Sequence, residues 1–192
     1  MTFRVYAPTI GLPPQTLSTA RHGMTTDAGR RPSATMARRC QTRRMEPAAF
    51  LDTVPSNGEL LAIAAQANPE ARVPTCPDWD LTGLLAHVGT VHHWVNHIVA
   101  SRATGPSNPD DDGPPSMDPD AVLAWYRQGL TDVVETLRGT DPDSDVWNWF
   151  DRGPAPARFW FRRMALETSV HRWDGENAVG EAHPLDVDLA IA

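Results

Sequence analysis

From Pro47 onward, apolar residues recur at helical spacing in long runs, and clusters of Pro, Gly and Asp separate the runs. No run of alternating Val, Ile or Thr has the pattern of a convincing strand. Because such spacing places the apolar side chains on one face of a helix, each helix needs a partner surface to cover that face. The sequence therefore predicts an all-α fold, an antiparallel bundle of four amphipathic helices, and it leaves open whether a connection crosses over.

Prolines and capping residues set the predicted limits of these helices. Residues 105–115 hold four Pro, two Gly and three consecutive Asp, which predicts an exposed connector between the second and third helices. The first helix covers about Pro47 to Ala67 and is interrupted or kinked near Pro55, and the second begins after Asp78 or Asp80. The third runs from Pro119 to a stop at Gly139, and the fourth covers about Pro156 to Val179.

The first 45 residues differ from the rest in charge and pattern. They hold eight Arg and one Asp, for a charge of +7, whereas residues 46–192 hold nine Arg and 23 acids, for a charge of -14. Without an apolar period this segment buries too little to offset its ordering entropy, so we predict a disordered basic arm. A start codon assigned too far upstream, with Met36 or Met45 as the true start, explains the unusual composition of this segment equally well. A nucleic-acid arm or a transit peptide would share the composition, but we do not expect a nucleic-acid partner.

Several protein classes are excluded. Two Cys cannot form a disulfide scaffold or a four-thiolate zinc site, and no stretch has the roughly 20 apolar residues that cross a bilayer. The N-terminal segment lacks the apolar core of a secretory signal, so we expect a cytoplasmic protein. The motifs of zincin proteases, serine hydrolases, Walker nucleotide enzymes and dinucleotide-binding folds are absent.

The histidines of the second helix differ in the face they occupy. At 100° per residue, His87 falls inside the apolar arc of this helix, while His93 and His97 point to water despite their one-turn spacing. His92 lies at the far edge of the arc and is expected to be packed or partly exposed. His87 is therefore the candidate ligand on this helix.

Glu167 and His171 share the apolar stripe of the fourth helix. A carboxylate on such a face costs several kcal/mol unless it is paired or bound to a cation. Together with His87 they would give a divalent metal three ligands and leave a fourth position open. On the same face, Asp174 could accept the second N–H of His171, and Arg163 could hold Glu167 or an anionic ligand. From spacing alone, a buried ion-pair network without metal is the simpler explanation.

Cys76 lies just before the second helix, where a helix N-terminus can lower the pKa of a thiol. A nucleophile is possible there. Because no base is adjacent in sequence, a small buried residue in a tight turn is the preferred interpretation.

Two segments resemble the mycothiol-dependent maleylpyruvate isomerase family: Val-Pro-Thr-Cys-Pro-Asp-Trp-Asp-Leu-Thr-Gly-Leu-Leu-Ala-His-Val-Gly over residues 73–89, and Phe-Trp-Phe-Arg-Arg-Met-Ala-Leu-Glu-Thr-Ser-Val-His-Arg-Trp-Asp over residues 159–174. The resemblance covers about residues 45–184. It implies a DinB-like metal-binding four-helix bundle over residues 46–184, with residues 185–192 as the start of a truncated C-terminal extension. The zinc ligands it implies are His87, Glu167 and His171, the same three that the spacing selects.

The resemblance also implies mycothiol as cofactor and a small-molecule electrophile as the second partner. A zinc-bound thiolate would add to the electrophile, in a cis–trans isomerisation or an S-transfer. The alternative is a non-catalytic metal- or ligand-binding module, or a truncated inactive member of the family. The sequence assigns no other catalytic or cofactor-binding residue, no particular substrate and no oligomeric state.

Overall fold

The computed structural model describes residues 45–108, 112–151 and 153–190, so residues 1–44 of the predicted arm lie outside the described chain. The described elements are α1 (Pro47–Ala67), α2 (Leu81–Ala100), α3 (Pro119–Arg138), β1 (Asp145–Asn148), β2 (Gly153–Pro156), α4 (Arg158–Ala178) and α5 (Val187–Ala190).

The helix limits follow the capping signals closely. α1 has the predicted bounds and continues through Pro55 as one helix. Of the two candidate caps of α2, Asp80 is the one used, because its side chain accepts a hydrogen bond from the Gly83 N–H at 2.8 Å. Asp118 caps α3 in the same way, and Gly139 ends it as predicted.

The four long helices form a bundle in which neighbours in space are often not neighbours in sequence. α1 and α2 each pack against both α3 and α4. Asn57 of α1 contacts Arg172 of α4, and Leu61, one turn later in α1, lies against Gly175, which is also later in α4. Because the residue numbers of the contacting pairs increase in both helices, α1 and α4 run parallel. α2 and α3 also run parallel, and α2 is antiparallel to α4, so α1 is antiparallel to α3. The connection between α2 and α3 therefore crosses over, which the sequence left open.

The core of this bundle is formed by the apolar stripes of the four helices. The largest fully buried side chains come from all four, and include Leu61 of α1, Leu84 of α2, Tyr126 of α3 and Trp160 of α4. None of the helices in the described ranges is both long and apolar enough to cross a membrane.

A short hairpin between α3 and α4 is the element that the sequence analysis missed. β1 and β2 pair antiparallel, with Trp147 opposite Pro154. Each strand has only four residues, and β2 reads Gly-Pro-Ala-Pro, which lacks the β-branched alternation of a recognisable strand. Because Pro156 belongs to the hairpin, α4 begins at Arg158, slightly later than predicted.

A buried ion pair of α4 binds the backbone of the segment that follows this helix, at His183 and Pro184. Arg172 contacts Glu176 at 2.5 Å, and both side chains are buried. Arg172 also donates to Asn57 on α1 and to the carbonyl oxygens of His183 and Pro184, while Glu176 accepts from the His183 N–H at 2.9 Å. Burial raises the pKa of Glu176, but these hydrogen bonds and the Arg172 charge outweigh it and hold the pKa below the usual range.

We expect Asp80→Ala to lower the free energy of unfolding by about 1 kcal/mol, because α2 loses its N-cap. Asp78→Ala is the matched control: Asp78 is an exposed acid two residues away that the sequence offered as the other cap. Urea titrations of both variants measure the difference. Equal losses of stability would contradict the assignment of the cap.

We expect Glu176→Gln to lower the free energy of unfolding by about 3 kcal/mol at pH 7, because it leaves the buried Arg172 charge uncompensated. A carboxyl whose pKa is depressed by folding stabilises above its unfolded pKa, and this contribution is lost as the pH falls through the folded pKa. The gap between wild type and variant should therefore shrink in acid.

Urea titrations at neutral and acid pH test this, with Glu181→Gln as the control because Glu181 is exposed on the same segment. A gap that stays constant down to low pH would contradict the role assigned to this ion pair.

Candidate metal centre

The three predicted ligand residues come from two facing helices. α2 supplies His87, and α4, which runs antiparallel to it, supplies Glu167 and His171 one turn apart. The segment before α2 folds back on itself, with hydrogen bonds between Val73 and Trp79 and between Ala71 and Leu81. This turn holds the Trp79 ring against the His87 imidazole, with 4.8 Å between ring centroids.

The ligand atoms of the three residues converge. Oε1 of Glu167 lies 3.4 Å from Nε2 of His87 and 3.4 Å from Nε2 of His171, and all three atoms lie within 4.8 Å of one another. Two ligand atoms that are each about 2.1 Å from a tetrahedral zinc ion are separated by about 3.4 Å. The two separations that involve Glu167 therefore match a zinc-type site, and the role of the three residues as ligands stays a prediction.

Glu167 is an ionised carboxylate in a buried position. Burial raises its pKa, but hydrogen bonds from His171 and His87 and the charge of Arg163 outweigh this and hold the pKa far below the usual range. Arg163 contacts the other oxygen, Oε2. Oε1 is thereby left facing the two imidazoles.

His171 is oriented by a chain of polar contacts that leads away from the cluster. Its Nδ1 lies 2.9 Å from Oδ2 of Asp174, and Oδ1 of Asp174 accepts a hydrogen bond from the Thr75 hydroxyl at 2.6 Å. This contact turns Nε2 toward Glu167. Burial lowers the pKa of His171, but the Asp174 and Glu167 carboxylates outweigh it and raise the pKa to about 9.

Arg163 borders the cluster on the side of the hairpin. Its guanidinium carbon lies 5.6 Å from the centroid of the Trp149 ring, at cation–π distance. Trp149 stacks on Trp94 with 5.7 Å between ring centroids, and the hairpin tip is fixed by the buried Asn148, whose side-chain oxygen accepts the Phe150 and Asp151 N–H groups.

The remaining histidines of α2 lie apart from the three. His97 is exposed, as predicted. His93 is half-buried and stacks on Trp125, so the expectation that it points to water was wrong. His92 is fully buried with Nε2 3.0 Å from the Thr168 hydroxyl, and burial, the largest effect, lowers its pKa to about 3.

Cys76 has the surroundings of a packed residue. It is half-buried in the turn before α2, and its backbone N–H donates to the Val73 carbonyl. Burial and the Asp174 charge raise the pKa of its thiol, although the Thr75 side chain opposes them. The thiol is therefore not activated as a nucleophile.

The fold and the cluster together define a DinB-like helical bundle with three side chains suited to a divalent metal. A family model described as the mycothiol maleylpyruvate isomerase N-terminal domain matches residues 56–175, more than half of the chain, and the protein belongs to this family. Separate comparisons with curated proteins and with solved structures give no match.

Sequence reasoning missed Thr75, Trp79 and Trp149 as neighbours of the cluster. Thr75 lies 99 residues from Asp174 in sequence, so no local spacing indicates their contact. Trp149 stands at the tip of the hairpin that the sequence analysis did not predict. Trp79 lies within the first segment that resembles the family, residues 73–89. This resemblance was the signal in the sequence that could have indicated a place for Trp79 near His87.

We expect Asp174→Asn to lower the pKa of His171 in metal-free protein by at least about one unit, because the variant removes the carboxylate that favours the charged imidazole. NMR titration of the imidazole nitrogens in chelator-treated protein measures this. Asp78→Asn is the control, since it makes the same change in net charge at an exposed position of the nearby turn. An unchanged His171 pKa in Asp174→Asn would contradict the contact.

Proposed function

We propose that this protein is a metal- and thiol-dependent enzyme in which His87, Glu167 and His171 hold a divalent metal, with zinc as the expected ion. A low-molecular-weight thiol, with mycothiol as the candidate, would act on a small activated electrophile. The observation that carries the proposal is the convergence of two imidazole nitrogens on one carboxylate oxygen, each at 3.4 Å.

The donor set supports the metal. Two imidazoles and one carboxylate match the three protein ligands of catalytic zinc sites, which leave a fourth position for a small molecule. The side chains of His87 and His171 remain 20 % and 15 % exposed, against 8 % for Glu167, so the cluster can be reached from solvent on the histidine side. When bound, the metal would supply a positive charge that keeps a thiol deprotonated near neutral pH.

The residues of the chain itself would orient this set. Asp174 accepts from Nδ1 of His171, so Nε2 is the nitrogen that faces Glu167 and would become the ligand atom when a metal displaces its proton. Arg163 holds Oε2 of Glu167 and so directs Oε1 inward. Trp79 packs against the His87 ring and limits its rotation. Such partners hold the ligands in place before an ion arrives.

Membership of the mycothiol maleylpyruvate isomerase family supports the choice of thiol. Two reaction classes remain within the proposal. In an isomerisation the thiol adds to a cis double bond and leaves again after rotation, so thiol is not consumed. In an S-transfer the thiol stays on the electrophile and is consumed.

Metal analysis of purified protein should give about one divalent ion per chain. Each of His87→Ala, Glu167→Ala and His171→Ala should lose it, because two remaining ligands hold zinc poorly. His97→Ala is the matched control, since it removes an exposed imidazole from the same helix as His87. Stoichiometric metal retained in all three variants would contradict the proposed site.

The reaction is tested on the same preparations by following thiol concentration beside the absorbance of an activated cis-diacid. Thiol-dependent turnover that disappears with the metal supports an enzyme, and consumption of thiol then separates transfer from isomerisation. Metal binding with no thiol-dependent turnover would contradict the enzymatic proposal and leave a non-catalytic metal-binding module.

A further inference from the structure

We propose that Trp149, at the tip of the hairpin, is a positioning residue for the metal site. It keeps Arg163 in contact with Glu167 and thereby controls how tightly the site binds its ion. This inference rests on the metal site proposed above and adds an element outside the two ligand-bearing helices that regulates it. It follows from the few contacts that hold the Arg163 guanidinium and from the way the neighbouring indole ring is supported.

The guanidinium of Arg163 is held by two contacts among the described residues. Nη2 contacts Oε2 of Glu167, and the guanidinium carbon lies 5.6 Å from the centroid of the Trp149 ring. Nε is buried, and no described residue accepts a hydrogen bond from it, so no further polar partner fixes the plane of the group. The side chain is 39 % exposed, and a long side chain that reaches water gains rotamer entropy when it loses a contact. Without the Trp149 ring, the guanidinium would therefore leave Glu167 for part of the time.

The Trp149 ring is itself fixed from both ligand-bearing helices. It stacks on Trp94 of α2, with 5.7 Å between ring centroids and 11° between the ring planes. It also meets Phe159 and Trp160 of α4 edge-on, at 5.3 Å and 5.1 Å between centroids. A ring supported by three other rings keeps one orientation, so it offers Arg163 a fixed aromatic face at cation–π distance.

Loss of this aromatic face would weaken metal binding although no ligand residue is changed. Arg163 holds Oε2 of Glu167, which leaves Oε1 directed at the two imidazoles. A carboxylate that is free to rotate must be ordered again when an ion binds, and the partners of metal ligands set the affinity in this way. A substitution of Trp149 keeps the charge of Arg163, so it changes the order of the Glu167 carboxylate and leaves the charges of the site as they are.

The test is competition for zinc between the purified full chain and a coloured chelator. Trp149→Leu should bind zinc about threefold to tenfold more weakly than wild type, as expected for a lost cation–π contact. Phe150→Leu is the matched control, because it removes an aromatic side chain from the next position of the tip, where Phe150 is 78 % exposed. The control should change the affinity less than twofold. Trp149→Phe keeps a ring with a weaker cation–π contact and should fall between Trp149→Leu and wild type.

A double-mutant cycle separates this route from a general loosening of the hairpin. In an Arg163→Gln background, Trp149→Leu should change zinc affinity less than twofold, because the residue through which Trp149 acts is gone. Arg163→Gln also removes a charge that repels a cation, so it serves only as the background. Equal weakening by Trp149→Leu in both backgrounds would overturn the inference, and so would unchanged or tighter binding by Trp149→Leu alone. Melting temperatures show that each variant is folded, and Trp149→Phe takes the place of Trp149→Leu in the cycle if the latter is not.

The two proposals fail separately. Wild-type protein that binds zinc, with Trp149→Leu unchanged in affinity, overturns this inference and leaves the metal site standing. Wild-type protein that binds no zinc contradicts the proposed function, and the contact is then tested in the metal-free protein by NMR. The Trp149 ring should shift the signal of the Arg163 Nε–H group, and Trp149→Leu, but not Phe150→Leu, should move that signal toward the value of a free arginine. The same signal in all three proteins would contradict the positioning role of Trp149.

Discussion

The ionised carboxylate of Glu167 inside the bundle is the constraint on which the arrangement of α2 and α4 depends. A buried charge is costly unless partners compensate it, and the partners here come from both helices. His87 approaches from α2, while His171 and Arg163 approach from the turns of α4 on either side. A shift of one helical turn between these helices would remove His87 and leave Glu167 with only the partners on its own helix, Arg163 and His171. The same interaction thus favours one register of the two helices and brings the three candidate metal ligands together.

Much of this architecture could be predicted because it depends on residues that are close together in the sequence. Helical periodicity and capping residues gave four helices within a few residues of their limits, and Glu167 attracted notice because it interrupts an apolar stripe. What depends on tertiary register could not be predicted. The contact of Thr75 with Asp174 needs a folded neighbour, and the hairpin has strands too short for a recognisable alternation.

α4 carries two separate sets of charged groups on different sides. Glu167, His171 and Asp174 face α2 and the turn before it, whereas Arg172 and Glu176 face α1 and the segment that follows α4. The first set remains partly accessible at its histidines, which suits a site that receives ligands. The second set is closed by backbone carbonyls and by the His183 N–H, which suits a structural role. Charged residues on one helix can therefore belong to a ligand site or to a structural ion pair, and their burial and their partners distinguish the two roles.

The pairing of α1 with α4 has a consequence for how the chain reaches this state. Arg172 and Asn57 are 115 residues apart, and the Thr75–Asp174 contact spans 99. Contacts this distant in sequence require closure of long loops before they stabilise anything, which slows folding relative to bundles built from successive helical hairpins. During synthesis, which proceeds from the N-terminus, the side of α1 that carries Leu61 stays uncovered until α4 has left the ribosome. His87 likewise cannot meet Glu167 before α4 is synthesised, so the three candidate metal ligands come together only after both helices are present.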